Sequence, residues 1–483
     1  MSGDIRFKLF VMMVLEFFIW GAWLPLIFGY LPSIGFSSDA PAWLAKILPD
    51  WIEFFFSEQS LILNAFPLAA IVGMFFSNQF ADRNFAAQRF LAFSHLIGGL
   101  AILGLAFVTE FCQARGLMQY HFAAFFGLML VHCLLYVPTI SITNSIAFAQ
   151  MKDAQREFGI IRMGGTIGWI LAAWPFVFIM VDWAKVKEAN PVGLINWLQT
   201  ALGTSLVGAP ALAASRYSFI VAGIASLILA AFSLTLPHTP PKKVSTTESA
   251  SSLAWIDAMK LLVHPYVFVL WSVALIDSFV HNCYFNWTGR FLASAQVGIA
   301  SNWITPVMSI GQIAEILTMF MLGAVLIRLG WKITLIIGVL GHAARFAVYA
   351  FFPLVSFVPN TIQIGNFQIG IIPLGIIAIQ VLHGICYAFF FATVYIFVDE
   401  HFPKHSRASA QGLFNFMILG MGALLAGAIC PQLFDRFITN GGNDFEGLFR
   451  IPMYLALLAA GMLLLLFWPP RKSAVLGADA ARV

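Results

Sequence analysis

Charged residues are scarce in this 483-residue sequence: Lys, Arg, Asp and Glu make up 10% of it, against about 25% for an ordinary soluble domain. Cysteine is scarce as well, and the five cysteines form neither a Cys-x-x-Cys pair nor another metal-binding spacing. No nucleophile–base pair and no phosphate-binding glycine loop stands out. The net charge of +4 needs no nucleic acid to explain it. We therefore expect neither an enzyme nor a metal or cofactor site.

Long apolar runs recur along the whole sequence, and 60% of the residues are hydrophobic. About 20 apolar residues form a helix that crosses the hydrocarbon core of a bilayer. The pattern predicts an all-α, multi-pass membrane protein embedded in the lipid bilayer. It has twelve spans, at 7–30, 59–80, 88–111, 120–149, 159–181, 215–236, 264–292, 302–328, 332–354, 368–399, 408–430 and 448–468.

Basic residues are distributed unequally over the loops that these spans define. Sixteen Lys and Arg residues fall on one side and eight on the other. By the positive-inside rule the richer side is cytoplasmic, and an even number of spans places both termini there. A polar stretch at 236–252, "LPHTPPKKVSTTESASS", cannot build a core. It predicts a cytoplasmic linker (236–258) between two six-helix bundles (1–235 and 259–483).

Two longer loops on the opposite side carry Trp-containing apolar segments. In 31–58 the segment "PAWLAKILPDWIEFFF" predicts a helix along the membrane interface, and in 182–214 "VGLINWLQTAL" predicts another. Both segments are equally compatible with packed caps that have no part in transport.

Two polar residues interrupt the apolar segment "MSIGQIAEIL". Gln312 and Glu315 are three positions apart and project from one face of a helix. An ionisable residue inside a membrane span faces the protein interior and is a functional candidate by default. A carboxylate accepts hydrogen bonds, whereas an amide both donates and accepts. The pair therefore suits a neutral solute rich in hydroxyl and amide groups, although an ion pair between Glu315 and Arg162 would also explain the carboxylate.

Several motifs occur in a characteristic order. They are "EFFIWGAWL" (16–24), "FADRNFAAQR" (80–89), "YVPTISITNSIAF" (136–148), "IRMGGTIGW" (161–169), "MSIGQIAEI" (308–316), "LHGICYAFFF" (382–391) and "RASAQGLF" (407–414). In order and spacing the chain resembles the nucleoside:proton symporter family of the major facilitator superfamily. The resemblance implies two six-helix bundles and transport by alternating access across the cell inner membrane, with a uridine-like nucleoside and protons as partners. We expect a monomer.

The resemblance also implies a substrate pocket. The matching positions are Arg162, Thr166, Trp169, Asn282, Gln312, Glu315, His383 and Tyr387. Phe285 and Asn286 compete with Asn282 for one of these places. Arg162, Thr166 and Trp169 share one helix face, and the rings of Trp169 and Tyr387 offer flat surfaces for a base.

The family's "HGICY" segment is followed by an aspartate that is thought to take part in proton coupling, but this sequence has Ala388. Glu315 and Glu16 are then the candidates for carrying the proton, or transport is uncoupled. Asp277 and His281 lie four apart on one helix face, as a proton relay or as a buried hydrogen-bonded pair, and Arg345 has the pattern of a structural residue.

Other solutes and functions compete with this prediction. A sugar or another neutral polyol would suit Glu, Gln, Trp and His as well. A nucleotide is disfavoured because its phosphates would need several basic residues in the cavity. A receptor is disfavoured because the sequence contains no soluble domain to carry a signal.

Overall fold

The computed structural model describes residues 3–73, 85–151, 154–240, 259–354, 361–364, 367–402, 407–439 and 442–469. They form mostly α-helices, with π-helical turns at Tyr387–Ala392 and Phe416–Met421. In chain order the α-helices are α1 Gly3–Ser33, α2 Ala42–Ala45, α3 Asp50–Glu53, α4 Glu58–Val72, α5 Ala87–Ala114, α6 His121–Gln150, α7 Ala154–Ala173, α8 Phe176–Ile179, α9 Trp183–Ala189, α10 Leu194–Gly203, α11 Ala209–Ala214, α12 Tyr217–Ser233, α13 Pro265–Ala293, α14 Ile304–Phe351, α15 Ile371–Ile379, α16 Leu382–Cys386, α17 Thr393–His401, α18 Arg407–Asn415, α19 Gly422–Arg436 and α20 Phe445–Leu466.

Ten helical segments of the described residues are long and apolar enough to cross a bilayer. One of them, Ser301–Leu354, contains α14, which is broken at Gly330, whose φ of +70° is outside the helical range. Glycine has no Cβ and adopts this conformation without strain. The break falls between the predicted spans 302–328 and 332–354. With the shorter apolar helix α4, the described helices are consistent with twelve spans.

Two predicted segments differ from the structure. The interface helix expected in 31–58 is two single-turn helices, α2 and α3, and a 3₁₀ turn at Phe54–Phe56. Pro49 separates α2 from α3, since proline lacks the N–H that would continue a helix. In 182–214, where the other interface helix was expected, the chain forms the helix α10, and its place at the membrane interface stays a prediction.

The second difference lies at the start of the predicted span 368–399. Its first residues form strand β2, Phe367–Gly370, which pairs antiparallel with β1, Thr361–Ile364. The alternating pattern of "TIQIGNFQIG" is typical of a strand, but it directly precedes a long apolar run that has the pattern of a membrane span. A second two-stranded hairpin joins β3, Ile438–Thr439, to β4, Gly442–Asn443.

The chain folds into two compact units. Unit 1 consists of Met1–Lys242, Phe285–Ser309 and Gly427–Asp435; unit 2 consists of Lys243–Tyr284, Ile310–Ala426 and Arg436–Val483. The division into bundles 1–235 and 259–483 stays a prediction, and most of the predicted linker lies outside the described residues.

Glycines allow α1 and α7 to pack closely in unit 1. A Cβ on Gly164 would lie within 3.0 Å of the Phe10 carbonyl oxygen, and one on Gly168 would lie closer still to the Val14 backbone. These glycines belong to the "IRMGGTIGW" motif. The motif therefore sets the distance at which the side chains of α7 meet α1.

Unit 1 also contains a seam in which side chains from residues after 284 donate to backbone carbonyls of residues before 207. Asn302 Nδ2 and Trp303 Nε1 both donate to the Leu202 carbonyl, at 3.0 and 3.1 Å. Thr305 Oγ1 donates to the Ala173 carbonyl at 3.1 Å. Ser301 and Arg290 donate to two further carbonyls, those of Leu206 and Phe28. We call these five donors and their acceptors the carbonyl seam.

Candidate functional site

The candidate residues of unit 1 lie on α7, where it packs against α1. Arg162, Thr166 and Trp169 are all half-buried, as expected for one helix face directed towards a cavity. The guanidinium carbon of Arg162 lies 4.2 Å from the centre of the Phe17 ring. This cation–π contact, together with the close packing of α1 and α7, fixes where the positive charge lies.

Aromatic rings surround Trp169. Its ring meets that of Trp20 edge to face, with centroids 5.3 Å apart, and that of Phe285 at 5.9 Å. Trp20 in turn stacks on Phe66 at 4.7 Å. Phe285, considered from the sequence as an alternative to Asn282, thus contacts another candidate residue. The other alternative, Asn286, is buried beside Arg290 and Trp287 in a small cavity of unit 1.

The carboxylate of Glu16 is fully buried in unit 1. Its Oε2 lies 3.0 Å from His95 Nε2, and its Oε1 lies 2.8 Å from Thr139 Oγ1. His95 Nδ1 is 3.0 Å from Ser226 Oγ. Four helices, α1, α5, α6 and α12, therefore meet through one chain of polar side chains. The sequence identified Glu16 but gave no indication of its partners.

Gln312 and His383 meet in unit 2 because two glycines allow α14 and α16 to touch. A Cβ on Gly311 would lie within 3.0 Å of His383, and one on Gly384 would lie equally close to the backbone of Ala314 and Glu315. Gln312 Nε2 lies 3.2 Å from His383 Nε2. Both side chains are buried.

Arg345 is fully buried, and it contacts the ring nitrogen of His383 that Gln312 does not contact. Its guanidinium donates to His383 Nδ1 at 2.8 Å and to His342 Nδ1 at 3.0 Å, and it lies 4.2 Å from the Tyr284 ring centre. His342 Nε2 lies 3.6 Å from Asp277 Oδ2, within ion-pair range but too far for a hydrogen bond. We call Asp277, His342, Arg345, His383 and Gln312 the arginine chain.

The arginine chain dictates the direction of the Gln312 amide. A guanidinium only donates hydrogen bonds, so His383 Nδ1 accepts and the hydrogen of a neutral His383 is on Nε2. Gln312 must then present Oε1, not Nε2, to His383. In the structure the Oε1 atom has no hydrogen-bond partner, and amide oxygen and nitrogen positions are interchangeable assignments. The Gln312 NH₂ group is thereby left to donate elsewhere.

The remaining candidates of unit 2 lie on α13, on α14 and directly after α16. Asn282 Nδ2 donates to the Ser278 carbonyl one turn back, at 2.9 Å. Tyr387 is half-buried in the π-helical turn, with its ring 6.4 Å from that of His281. Glu315 is half-buried one turn after Gln312. π-Helical turns are frequent at functional sites.

The structure brings the candidates together in two groups, Arg162, Thr166 and Trp169 in unit 1 and the other five in unit 2.

Sequence reasoning missed His342, although its spacing from Arg345, three residues on one helix, was visible. Arg345, which has the pattern of a structural residue, contacts two imidazoles, those of His342 and His383. Ala388 is buried in an apolar cluster with Leu322 and Phe389. Asp82 and Arg83 of the loop motif lie outside the described residues.

Comparison with known proteins places the chain in a family. The model of the family described as "Nucleoside H+ symporter" matches residues 3–196 and 190–472. YegT of Escherichia coli (strain K12), named as a nucleoside transporter, is 30% identical over 420 residues, which are 86% of this chain and 82% of YegT. The nucleoside permease NupG of the same organism is 24% identical over 464 residues, 93% of this chain and 92% of NupG.

Solved structures show the same fold. The crystal structure of the nucleoside transporter NupG matches with a TM-score of 0.69 at 21% identity, over 97% of this chain and 100% of that one. A D-xylose–proton symporter matches with a TM-score of 0.65 at 15% identity, over 98% and 100%. These likenesses confirm the predicted class, an all-α membrane protein with the major facilitator fold. With the family model matching nearly the whole length, the chain belongs to the nucleoside H+ symporter family.

Proposed function

We propose that this chain is a secondary transporter that moves nucleosides across the cytoplasmic membrane by alternating access, together with protons. The observation that carries the proposal is the family match over residues 3–472. The two groups of candidate residues support it, since they combine half-buried aromatic rings with polar groups that suit a neutral solute. A uridine-like nucleoside offers ring faces, carbonyls and hydroxyls to such groups.

In the proposed pocket, Trp169, Tyr387, Gln312 and Glu315 each have a chemical task. Trp169 and Tyr387 stack on the base, and base–aromatic stacking contributes about 1–3 kcal/mol per base. The Gln312 NH₂ group donates to a carbonyl of the base or to a ribose oxygen. Glu315 accepts from ribose hydroxyls. Arg162, Thr166, Asn282 and His383 complete the set, with His383 holding Gln312 in place.

We also propose how the protein is oriented in the membrane. Both termini and the linker 236–258 face the cytoplasm, which follows from the excess of basic residues on that side. The membrane is the cell inner membrane, and the protein acts as a monomer. The predicted number of spans, twelve, is even, as this orientation requires.

Substitutions at Gln312 and Glu315 test the pocket. In Gln312→Ala a solute group loses its partner, and in Glu315→Gln the carboxylate becomes an amide of the same shape. We expect each variant to bind uridine about 5- to 150-fold more weakly, which corresponds to about 1–3 kcal/mol for an unsatisfied polar group. Isothermal titration of uridine into the purified protein measures this.

Matched controls are available on exposed surfaces. Gln113→Ala and Glu188→Gln make the same chemical changes at exposed positions and should bind uridine like the unmodified chain. Unchanged affinity in both pocket variants would place the nucleoside elsewhere. The titration should include free bases and neutral sugars: binding of a sugar in the absence of nucleoside binding would replace the proposed substrate with a polyol.

A further inference from the structure

A chain of four buried side chains in unit 1 joins two backbone carbonyls. Ser226 Oγ donates to the His95 carbonyl and also contacts His95 Nδ1, both at 3.0 Å. His95 Nε2 contacts Glu16 Oε2 at 3.0 Å, and Glu16 Oε1 contacts Thr139 Oγ1 at 2.8 Å. Thr139 Oγ1 also donates to the Tyr136 carbonyl. The four side chains are at most 1% exposed.

Hydrogen atoms are too few for this chain when Glu16 is ionised and His95 is neutral. The chain makes five contacts, each of which needs one hydrogen, and both ends are carbonyls that only accept. Ser226, Thr139 and a neutral His95 supply three hydrogens. If Ser226 donates to the His95 carbonyl, His95 Nδ1 must donate to Ser226, and Nε2 then carries no hydrogen towards Glu16. In this arrangement the contact between Glu16 and His95 requires one added proton. Four of the five contacts then have a hydrogen, and the single hydrogen of the Thr139 hydroxyl is directed either to Glu16 Oε1 or to the Tyr136 carbonyl.

The added proton also removes a net charge from the protein interior. Without it the pair carries one negative charge, and a buried charge costs several kcal/mol unless it is compensated. The titratable groups next to this chain include Tyr136, whose hydroxyl donates to the Glu16 carbonyl at 2.6 Å. Tyr136 in turn interacts with His132 and Cys133 on α6 and with Arg162 on α7. Arg162 lies over the Phe17 ring.

We propose that the Glu16–His95 pair binds the proton that is transported with the nucleoside. This proposal rests on the proposed function. The proton enters from the outside solution and occupies the contact between Glu16 Oε2 and His95 Nε2. It leaves from the same contact to the cytoplasm, so the pair returns to an ionised carboxylate and a neutral imidazole. No other reactant is consumed.

The pair lies where it can influence the substrate residues of unit 1. Glu16 is followed on α1 by Phe17, which supports Arg162, and one turn later by Trp20, which contacts Trp169. Losing the proton leaves a buried carboxylate and removes the hydrogen that ties α1 to α5. A shift of α1 therefore alters the surroundings of Arg162 and Trp169 together.

Asp277, a buried carboxylate of unit 2, has a different environment. Asp277 lies 3.6 Å from His342, which accepts from the Arg345 guanidinium, so a positive charge is close enough to act on it. Ala388, which takes the place of the family's aspartate, is packed among apolar side chains. Glu315 is half-buried and competes with Glu16 as the carrier.

The test compares accumulation with exchange in proteoliposomes of the full chain. With an inward gradient of one pH unit, one proton per nucleoside supports about ten-fold accumulation of uridine, because one pH unit corresponds to about 1.4 kcal/mol. We expect the unmodified chain to concentrate uridine to this extent. We expect Glu16→Gln, whose amide imitates the protonated acid, and His95→Gln to exchange labelled uridine but to accumulate none.

Calorimetry adds a readout that a merely structural role would not change. Uridine is titrated in two buffers of different ionisation enthalpy, which reports the protons taken up on binding. The unmodified chain should take up protons in a pH-dependent way, and Glu16→Gln should lose this dependence. Glu188→Gln, at an exposed position, should behave like the unmodified chain in every assay.

Each contrary result has its own meaning. Accumulation that persists in Glu16→Gln, or that only Glu315→Gln abolishes, overturns the proposed proton site. Loss of uridine binding and exchange in both Glu16→Gln and Glu16→Asp also overturns it, because the pair is then structural. If the unmodified chain exchanges uridine without concentrating it, the proton site and the proton part of the proposed function both fail, while nucleoside transport stands. If it binds and exchanges no nucleoside, the proposed function fails, and infrared spectra of the unmodified chain and Glu16→Gln still decide whether Glu16 holds a proton.

Discussion

Replacing Arg345 with methionine should lower the free energy of unfolding by about 3–5 kcal/mol, the cost of leaving a buried charge without its partner. Methionine fills much of the same volume, but it donates no hydrogen bonds to His342 and His383, and Asp277 loses the positive charge behind His342. Thermal unfolding of the purified protein in detergent measures the loss.

Two further variants make the Arg345 prediction specific. Arg345→Lys should recover little stability, since one ammonium group cannot reach two imidazoles as the flat guanidinium does. Arg328→Met, at an exposed position of the same helix α14, should unfold like the unmodified chain. If Arg345→Met proved as stable as Arg328→Met, the arginine chain would not contribute to stability.

A methyl group at Gly384 should have the second large effect. Its Cβ would lie within 3.0 Å of backbone atoms of Ala314 and Glu315, which cannot rotate away as a side chain can. We expect Gly384→Ala to destabilise the protein by about 1–3 kcal/mol, as overpacking typically does. Because α14 and α16 must separate, the contact between Gln312 and His383 lengthens, and uridine binding should weaken as well.

Gly323→Ala is the matched control for Gly384→Ala. Gly323 is also on α14, but a Cβ there would have no atom within 4 Å. Alanine favours a helix over glycine by about 1 kcal/mol, so this variant should be as stable as the unmodified chain or slightly more stable. Equal melting temperatures and uridine affinities for both alanine variants would contradict the predicted clash.

Most of the fold could be predicted because the bilayer imposes a simple pattern. A span of about 20 apolar residues is a strong signal, and each predicted span has a helical counterpart in the described residues. The errors occurred where the chain leaves that pattern: a proline divides the expected interface helix 31–58, and the hairpin at Thr361–Gly370 is shorter than any membrane span. Short local signals were masked by the longer apolar ones.

The candidate site was harder to predict because its contacts join distant parts of the sequence. Gln312 and Glu315 stand out as polar residues in an apolar span, and the family resemblance added residues such as His383. Nothing in the sequence links His95 to Glu16, which is 79 positions away, or His383 to Arg345. A histidine within an apolar segment could equally be a packed core residue, and only the helix packing determines which carboxylate or guanidinium it meets.

The carbonyl seam has a consequence for how this protein can change over evolutionary time. Every residue in the chain has a backbone carbonyl, so Leu202 and Ala173 can be replaced by other side chains while their oxygens still accept from Trp303 and Thr305. The donors have no such freedom, because each bond depends on a particular side chain. Substitutions should therefore be tolerated at the acceptor positions of the carbonyl seam but not at the donor positions. Methods that infer contacts from correlated substitutions should miss these pairs, since only one member of each has to be retained.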